Sequence, residues 1–206
     1  MDPEPVVFII DDDPAVRDAL AVLVRSVGLR TQTYATAHEF LDTYDPVSPG
    51  CLVLDIRMPG MGGLELQEEL DARRIRLPVI VVTGHGDMQT AVRAMKAGAL
   101  DCFAKPFNDQ ELLDCIHRAI RRDGEVRKES ARRSEIESRM AQLSPREREV
   151  MEGIVAGKTN QTIADELGVT KKTIDAHRAK VMEKTETRSL AELVELSLKL
   201  REGSRC

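Results

Sequence analysis

Aromatic residues are scarce in this chain: among 206 residues there are four Phe, two Tyr and no Trp. The core is therefore expected to be aliphatic, built from Leu, Val, Ile and Met. Cysteine is sparse too, and the four present (Cys51, Cys102, Cys115, Cys206) form no C-x-x-C pair. With only four scattered His besides, a zinc cluster is excluded, and the thiols read as reduced, small hydrophobes. No apolar run approaches the ~20 residues that cross a bilayer, which excludes a spanning helix. The opening Met1-Asp2-Pro3-Glu4-Pro5 is acidic and lacks the basic start of a secretion signal. The expected location is cytoplasmic, with no membrane partner. What remains is the composition of an ordinary globular protein, long enough for one large domain or two small ones.

The net charge of −5 conceals a division along the chain. Residues 1–123 hold 13 Lys and Arg against 20 Asp and Glu; residues 124–206 hold 17 against 15. The second part is too mildly basic for charge alone to mark a nucleic-acid binder.

The first 120 or so residues alternate short apolar runs with amphipathic stretches. Val6-Val7-Phe8-Ile9-Ile10, Cys51-Leu52-Val53-Leu54 and Pro78-Val79-Ile80-Val81-Val82 read as buried strands, residues 31–34 as a weaker one and Cys102-Phe103-Ala104 as a short last one. Helical spacing fills residues 14–27, 37–44, 64–74, 90–97 and 109–122. Five β-α units with continuous rather than alternating apolar strands predict a doubly wound α/β fold, a five-stranded parallel sheet covered on both faces. Residues 123–142 intersperse charges of both signs with few apolar side chains and read as a solvated, partly helical linker. Val126, Ile136 and Met140 are too few for a coiled coil.

From Leu143 onward the pattern is all-helical. Ser144-Pro145-Arg146-Glu147 is a capping box with Pro at the first helical position. Helices are expected over residues 145–156, 160–167, 170–184 and 189–200. The tight turn Leu167-Gly168-Val169-Thr170 makes the middle pair a helix-turn-helix. The expected organisation is thus a domain of residues 1–122, a linker of 123–142 and a small all-α four-helix domain of 143–206.

In an open parallel sheet, function collects at the carboxyl ends of the strands. Here those ends are followed by Asp11-Asp12-Asp13, Asp55, Thr83 and Lys105-Pro106. Crowded carboxylates repel unless a cation joins them, and Mg²⁺ suits a few carboxylate oxygens plus water. An exposed carboxylate beside Mg²⁺, with a lysine and a threonine ready to contact phosphoryl oxygens, suits an aspartyl-phosphate acceptor. Taken singly, Asp13 before Pro14 is a helix N-cap, Thr83 a turn residue and Lys105 a surface lysine. Gly84-His85-Gly86-Asp87 lacks the spacing of a nucleotide loop and reads as a flexible turn.

Four motifs taken together resemble the receiver domains of two-component systems: Ile-Ile-Asp11-Asp12-Asp13, Leu-Val-Leu-Asp55-Ile-Arg-Met-Pro59-Gly60-Met-Gly-Gly63, Val-Val-Thr83-Gly-His and Phe-Ala-Lys105-Pro106-Phe. The resemblance implies a flavodoxin-like receiver in which Asp55 is the phosphoacceptor. It further implies that Asp12, Asp55 and the Arg57 backbone carbonyl bind Mg²⁺, with Asp11 acting through water. Thr83 would be the switch hydroxyl, Lys105 the phosphoryl contact, and Lys105-Pro106 a cis bond. One position departs: three residues before the lysine, receivers carry Phe or Tyr, and this chain has Cys102. Strand alternation sends Cys102 and Phe103 to opposite faces, so Phe103 is no replacement. Cys102 reads as a half-buried filler, since a redox sensor would need a lowered thiol pKa.

Leu143-Ser-Pro-Arg-Glu147, Gly157-Lys-Thr-Asn160, Ile163-Ala164, Leu167-Gly168-Val169-Thr170 and Thr173-Ile174 with His177-Arg178 resemble the LuxR-type helix-turn-helix, and with the receiver attached the chain resembles the NarL/FixJ subfamily of response regulators. The third helix would present Lys171, Lys172, Thr173, Asp175, Ala176, His177, Arg178 and Lys180 to the major groove. Asp175 accepts from a base, pairs with Lys171 or Lys172 along the helix, or does both. Thr185 stands where the family has Leu or Met, which predicts weak packing there. The implied activity is that of a transcriptional regulator, not an enzyme, phosphorylated by a cognate sensor histidine kinase. The implied partners are promoter DNA, a second copy on phosphorylation, and RNA polymerase. A haloacid-dehalogenase-type enzyme also uses Asp and Mg²⁺, but needs a second Asp where Arg57 stands.

Overall fold

A computed structural model describes residues 3–84 and 88–202; the 84–87 turn in greater part, and Cys206, lie outside them. The chain divides into two compact units, Met1–Arg127 and Lys128–Cys206.

The first unit alternates strand and helix: β1 (Val6–Ile10), α1 (Pro14–Ser26), β2 (Arg30–Tyr34), α2 (Ala37–Thr43), β3 (Gly50–Asp55), α3 (Gly63–Ala72), β4 (Val79–Thr83), α4 (Met88–Lys96), β5 (Asp101–Ala104) and α5 (Asp109–Ala141). The sheet order is β2-β1-β3-β4-β5, every pair parallel. The chain steps outward from β1 to β2, then returns to build β3, β4 and β5 on the other side. The reversal leaves a crevice between the carboxyl ends of β1 and β3, where Ile10 pairs with Leu54.

The continuous apolar strands are buried on both faces, as their composition predicts. Phe8, Ile10, Leu52, Leu54 and Val81 face one core with Phe40, Leu66 and Leu70 from the helices. Val7, Ile9, Val53, Ile80 and Val82 face the other with Leu20, Val24, Leu112 and Ile116. The aliphatic expectation needs one correction. Four of the six aromatic residues gather in the first core: Phe40 lies 5.7 Å from Phe8, 5.4 Å from Tyr34 and 4.9 Å from Tyr44, ring centre to ring centre. Scarcity in the whole chain is concentration at one place.

Asp13 caps α1 as expected, accepting from the Ala15 amide at 2.9 Å, with Pro14 next. The stretch read as a partly helical linker is helix nearly throughout, because α5 runs without a break to Ala141. No proline interrupts it, and ion pairs four residues apart support it: Arg127 with Asp123, Arg133 with Glu137 and Arg139 with Glu135.

The second unit holds the end of α5 and four more helices, α6 (Pro145–Val155), α7 (Asn160–Leu167), α8 (Lys171–Thr185) and α9 (Leu190–Glu202). Ile136 and Met140 of α5 join Val150, Ile154, Ile163, Ile174, Val181 and Leu193 in one core, so the four-helix expectation is short by one helix end. The capping box forms: Ser144 accepts from the Glu147 amide, and Glu147 from the Ser144 amide. Gly168 closes α7 in the left-handed conformation, at φ 67°, and Thr170 caps α8. Thr185 corrects another expectation. It is fully buried, its hydroxyl donating to the Val181 carbonyl at 2.7 Å and lying 3.0 Å from Thr187 Oγ1. A buried hydroxyl that finds partners does not loosen its surroundings.

Candidate functional site

The crevice between β1 and β3 is acidic. Asp11 follows β1 and Asp55 ends β3; both residues are almost covered, at 2% and 7% exposure. Lys105, just past β5, reaches both: Nζ lies 2.7 Å from Asp11 Oδ2 and 2.9 Å from Asp55 Oδ1. The same lysine is fixed through its backbone, its amide donating to the Thr83 carbonyl at 2.8 Å. Lys105-Pro106 is cis, as the receiver resemblance implies.

Asp55 is oriented from a second side, its Oδ2 accepting from the Arg57 amide at 2.6 Å. Gly63 lets α3 begin against this turn; a Cβ there would lie 2.4 Å from the Asp55 carbonyl oxygen. Burial pushes the Asp55 carboxyl above its ordinary range, while hydrogen bonding and charge from Lys105 pull it back. Burial opposes the Lys105 charge, but its bonds to Asp11 and Asp55 outweigh that and hold the ammonium above its usual value.

The structure thus brings Asp11, Asp55, Lys105 and buried Thr83 to one rim. Asp12 stands exposed beside them. Among the described residues, no three acidic, His or Cys side chains are gathered as an ion site. Two hard carboxylates that already share one cation nonetheless have the donor chemistry of a Mg²⁺ site completed by a carbonyl and water.

In the second unit α8 carries all the expected reading residues. Lys171, Lys172, Asp175, Ala176 and Lys180 are exposed; Thr173, His177 and Arg178 are half-buried. Thr173 is tied into the cap, its amide donating to Thr170 Oγ1 at 3.2 Å. Asp175 does not pair along the helix with Lys171 or Lys172. It accepts from Asn160 Nδ2 at 2.7 Å, across the helix-turn-helix.

Residues 7–117 match the response regulator receiver domain family, and residues 141–197 the luxR family of bacterial regulatory proteins. The transcriptional regulatory protein FixJ of Azorhizobium caulinodans is 46% identical over 192 residues, 93% of this chain and 91% of that protein. The FixJ of Bradyrhizobium diazoefficiens is 44% identical, covering 94% of each. The solved structure of the response regulator StyR superposes with a TM-score of 0.90 at 43% identity, covering 95% of this chain and 99% of that one. The chain belongs to the response regulators.

As a response regulator of the FixJ kind, it is a phosphorylation-dependent transcriptional regulator and not an enzyme. Receiver domains of this family bind Mg²⁺ at the phosphorylation site, and such regulators interact with a sensor kinase and bind DNA. No helix among the described residues of this response regulator is long and apolar enough to cross a membrane. Asn160, named in the sequence only as part of a motif and given no role there, is the residue that meets Asp175. It lies at the start of α7, 15 residues from Asp175, and no local pattern links the two.

Proposed function

We propose that Asp55 accepts a phosphoryl group from the phosphohistidine of a cognate sensor kinase, and that the phosphorylated chain dimerises and binds promoter DNA through α8. The observation that carries the reading is Lys105 Nζ, held between Asp11 and Asp55 at the strand-order reversal. An Asp55 oxygen attacks phosphorus, the phosphorus–nitrogen bond breaks, and the imidazole leaves with its electron pair. Lys105, released from Asp55, then bonds to the phosphoryl oxygens. Asp11, Asp12, Asp55 and the Arg57 carbonyl would hold Mg²⁺, which screens the charge on the phosphoryl oxygens when bound.

The modification adds about −1.5 to −2 charge. Thr83 answers it as the switch hydroxyl, and because its carbonyl holds the Lys105 amide, β4 and β5 respond together. On DNA, Lys171, Lys172, Arg178 and Lys180 meet phosphates, while Thr173, Asp175, Ala176 and His177 face base edges. RNA polymerase is the remaining partner, met at the promoter. Incorporation of phosphate from acetyl phosphate with Mg²⁺ tests the acceptor. Asp55→Asn abolishes it and Asp12→Ala impairs it; acid-stable, stoichiometric labelling of Asp55→Asn would overturn the assignment.

A further inference from the structure

Asp175 and Arg178 lie three apart on α8, close enough for a direct ion pair, yet they are joined through a third residue. Asn160 Nδ2 donates to Asp175 Oδ1 at 2.7 Å, and Asn160 Oδ1 accepts from Arg178 Nη1 at 3.1 Å. A carboxylate can only accept and a guanidinium can only donate, so the amide has one orientation that satisfies both. Asn160 is itself held, as the first residue of α7 after the Thr159 cap, where Thr159 Oγ1 accepts from the Thr162 amide at 3.1 Å.

The arrangement has a chemical consequence. Left alone, an Asp and an Arg at this spacing would neutralise each other. With the amide interposed, each is fixed by one atom and keeps its others open. The second Asp175 oxygen remains an acceptor on an exposed side chain, and the Arg178 fork keeps donors beyond Nη1. An acceptor fixed in the groove suits the cytosine amino group, and a fixed guanidinium suits guanine or phosphate.

We propose that Asn160, on the helix before the recognition helix, is a positioning residue for sequence readout. It holds Asp175 and Arg178 apart, so that one reads a base edge and the other donates to the DNA. The inference rests on the reading of α8 as the DNA-contacting helix and of Asp175 as its base-reading member.

The test is selection on randomised half-sites with the full phosphorylated chain, comparing wild type, Asn160→Ala, Asp175→Ala and the double variant, with melting temperatures recorded for each. Asn160→Ala should relax preference about tenfold at the base position that Asp175→Ala relaxes, with the double variant no worse than Asp175→Ala alone. Asn160→Asp should relax the same position, because it repels Asp175 while still accepting from Arg178, and it guards against a folding defect in the alanine variant. If Asp175→Ala relaxes a position and the two Asn160 variants keep the wild-type motif, positioning is overturned and base reading stands. If Asp175→Ala leaves the motif unchanged, base reading falls and the positioning role falls with it. Equal loss across all sequences in step with a lowered melting temperature would mark Asn160 as merely structural.

Discussion

Arg127 holds Asp123 at 2.7 Å, one helical turn along α5, and the same Asp123 oxygen accepts from the buried Gly50 amide at 2.9 Å. Three further guanidinium N–H groups donate to the carbonyls of Pro46, Val47 and Ser48. One buried carboxylate, 3% exposed, thereby satisfies the start of β3 and orients the cation that ties down the preceding loop. Asp123→Ala strands the Gly50 amide and leaves the guanidinium without its counter-charge. The first unit should lose about 2–3 kcal/mol, read from the urea midpoint. A loss below about 0.5 kcal/mol, the scale of an exposed ion pair, would show the pair to be ornamental.

A second acid sets a pH dependence in the other unit. Lys184 Nζ lies 2.6 Å from Glu147 Oε2, and with the Ser144 amide this holds the Glu147 carboxyl well below its ordinary 4.5, at about 2. A depressed folded-state pKa gives stability that is present above about 4.5 and lost as pH falls toward 2. Glu147→Gln should flatten this acid limb in a stability-versus-pH series. An unchanged slope between pH 4.5 and 2 would mean the pairing adds nothing.

The sheet was legible because a strand buried on both faces must be apolar throughout, and Val6 to Ile10 and Cys51 to Leu54 are. The acidic rim was legible because four motifs fall at successive strand ends, and Asp11, Asp55, Thr83 and Lys105 meet there. What escaped was the pairing of polar residues, across long stretches of chain for Asp123 and Asp175 and within a turn for Thr185. Asp123 in a run of mixed charges looks like any solvated acid until the Gly50 amide, 73 residues earlier, is seen to need it. Thr185 looks like a packing fault until Thr187 and the Val181 carbonyl supply partners. Asp175 has two lysines within reach on its own helix, and local rules favour them over Asn160.

Cys102 occupies the place of the usual receiver aromatic and packs against the core on the opposite face from Phe103. Burial, then the Asp101 charge, push its thiol above the ordinary value, which disfavours the reactive thiolate. Cys102→Ser should leave phosphorylation and DNA binding within about twofold of wild type. Oxidant-sensitive DNA binding that disappears in this variant would instead make the thiol a sensor.

Phosphorylation should tighten self-association. Sedimentation with and without a phosphoryl analogue should show a monomer or weak dimer becoming a firmer dimer. Identical dimer constants in the two states would remove dimerisation as the switch.

Control of DNA binding by a phosphoryl group on Asp55 is the function proposed. Its most direct measurement is a titration of the full chain on a selected DNA site, with and without acetyl phosphate and Mg²⁺, in wild type and Asp55→Asn. Wild type should gain about tenfold or more in affinity on phosphorylation, within the range of allosteric coupling, and Asp55→Asn should gain nothing. An equal gain in both proteins would contradict the account.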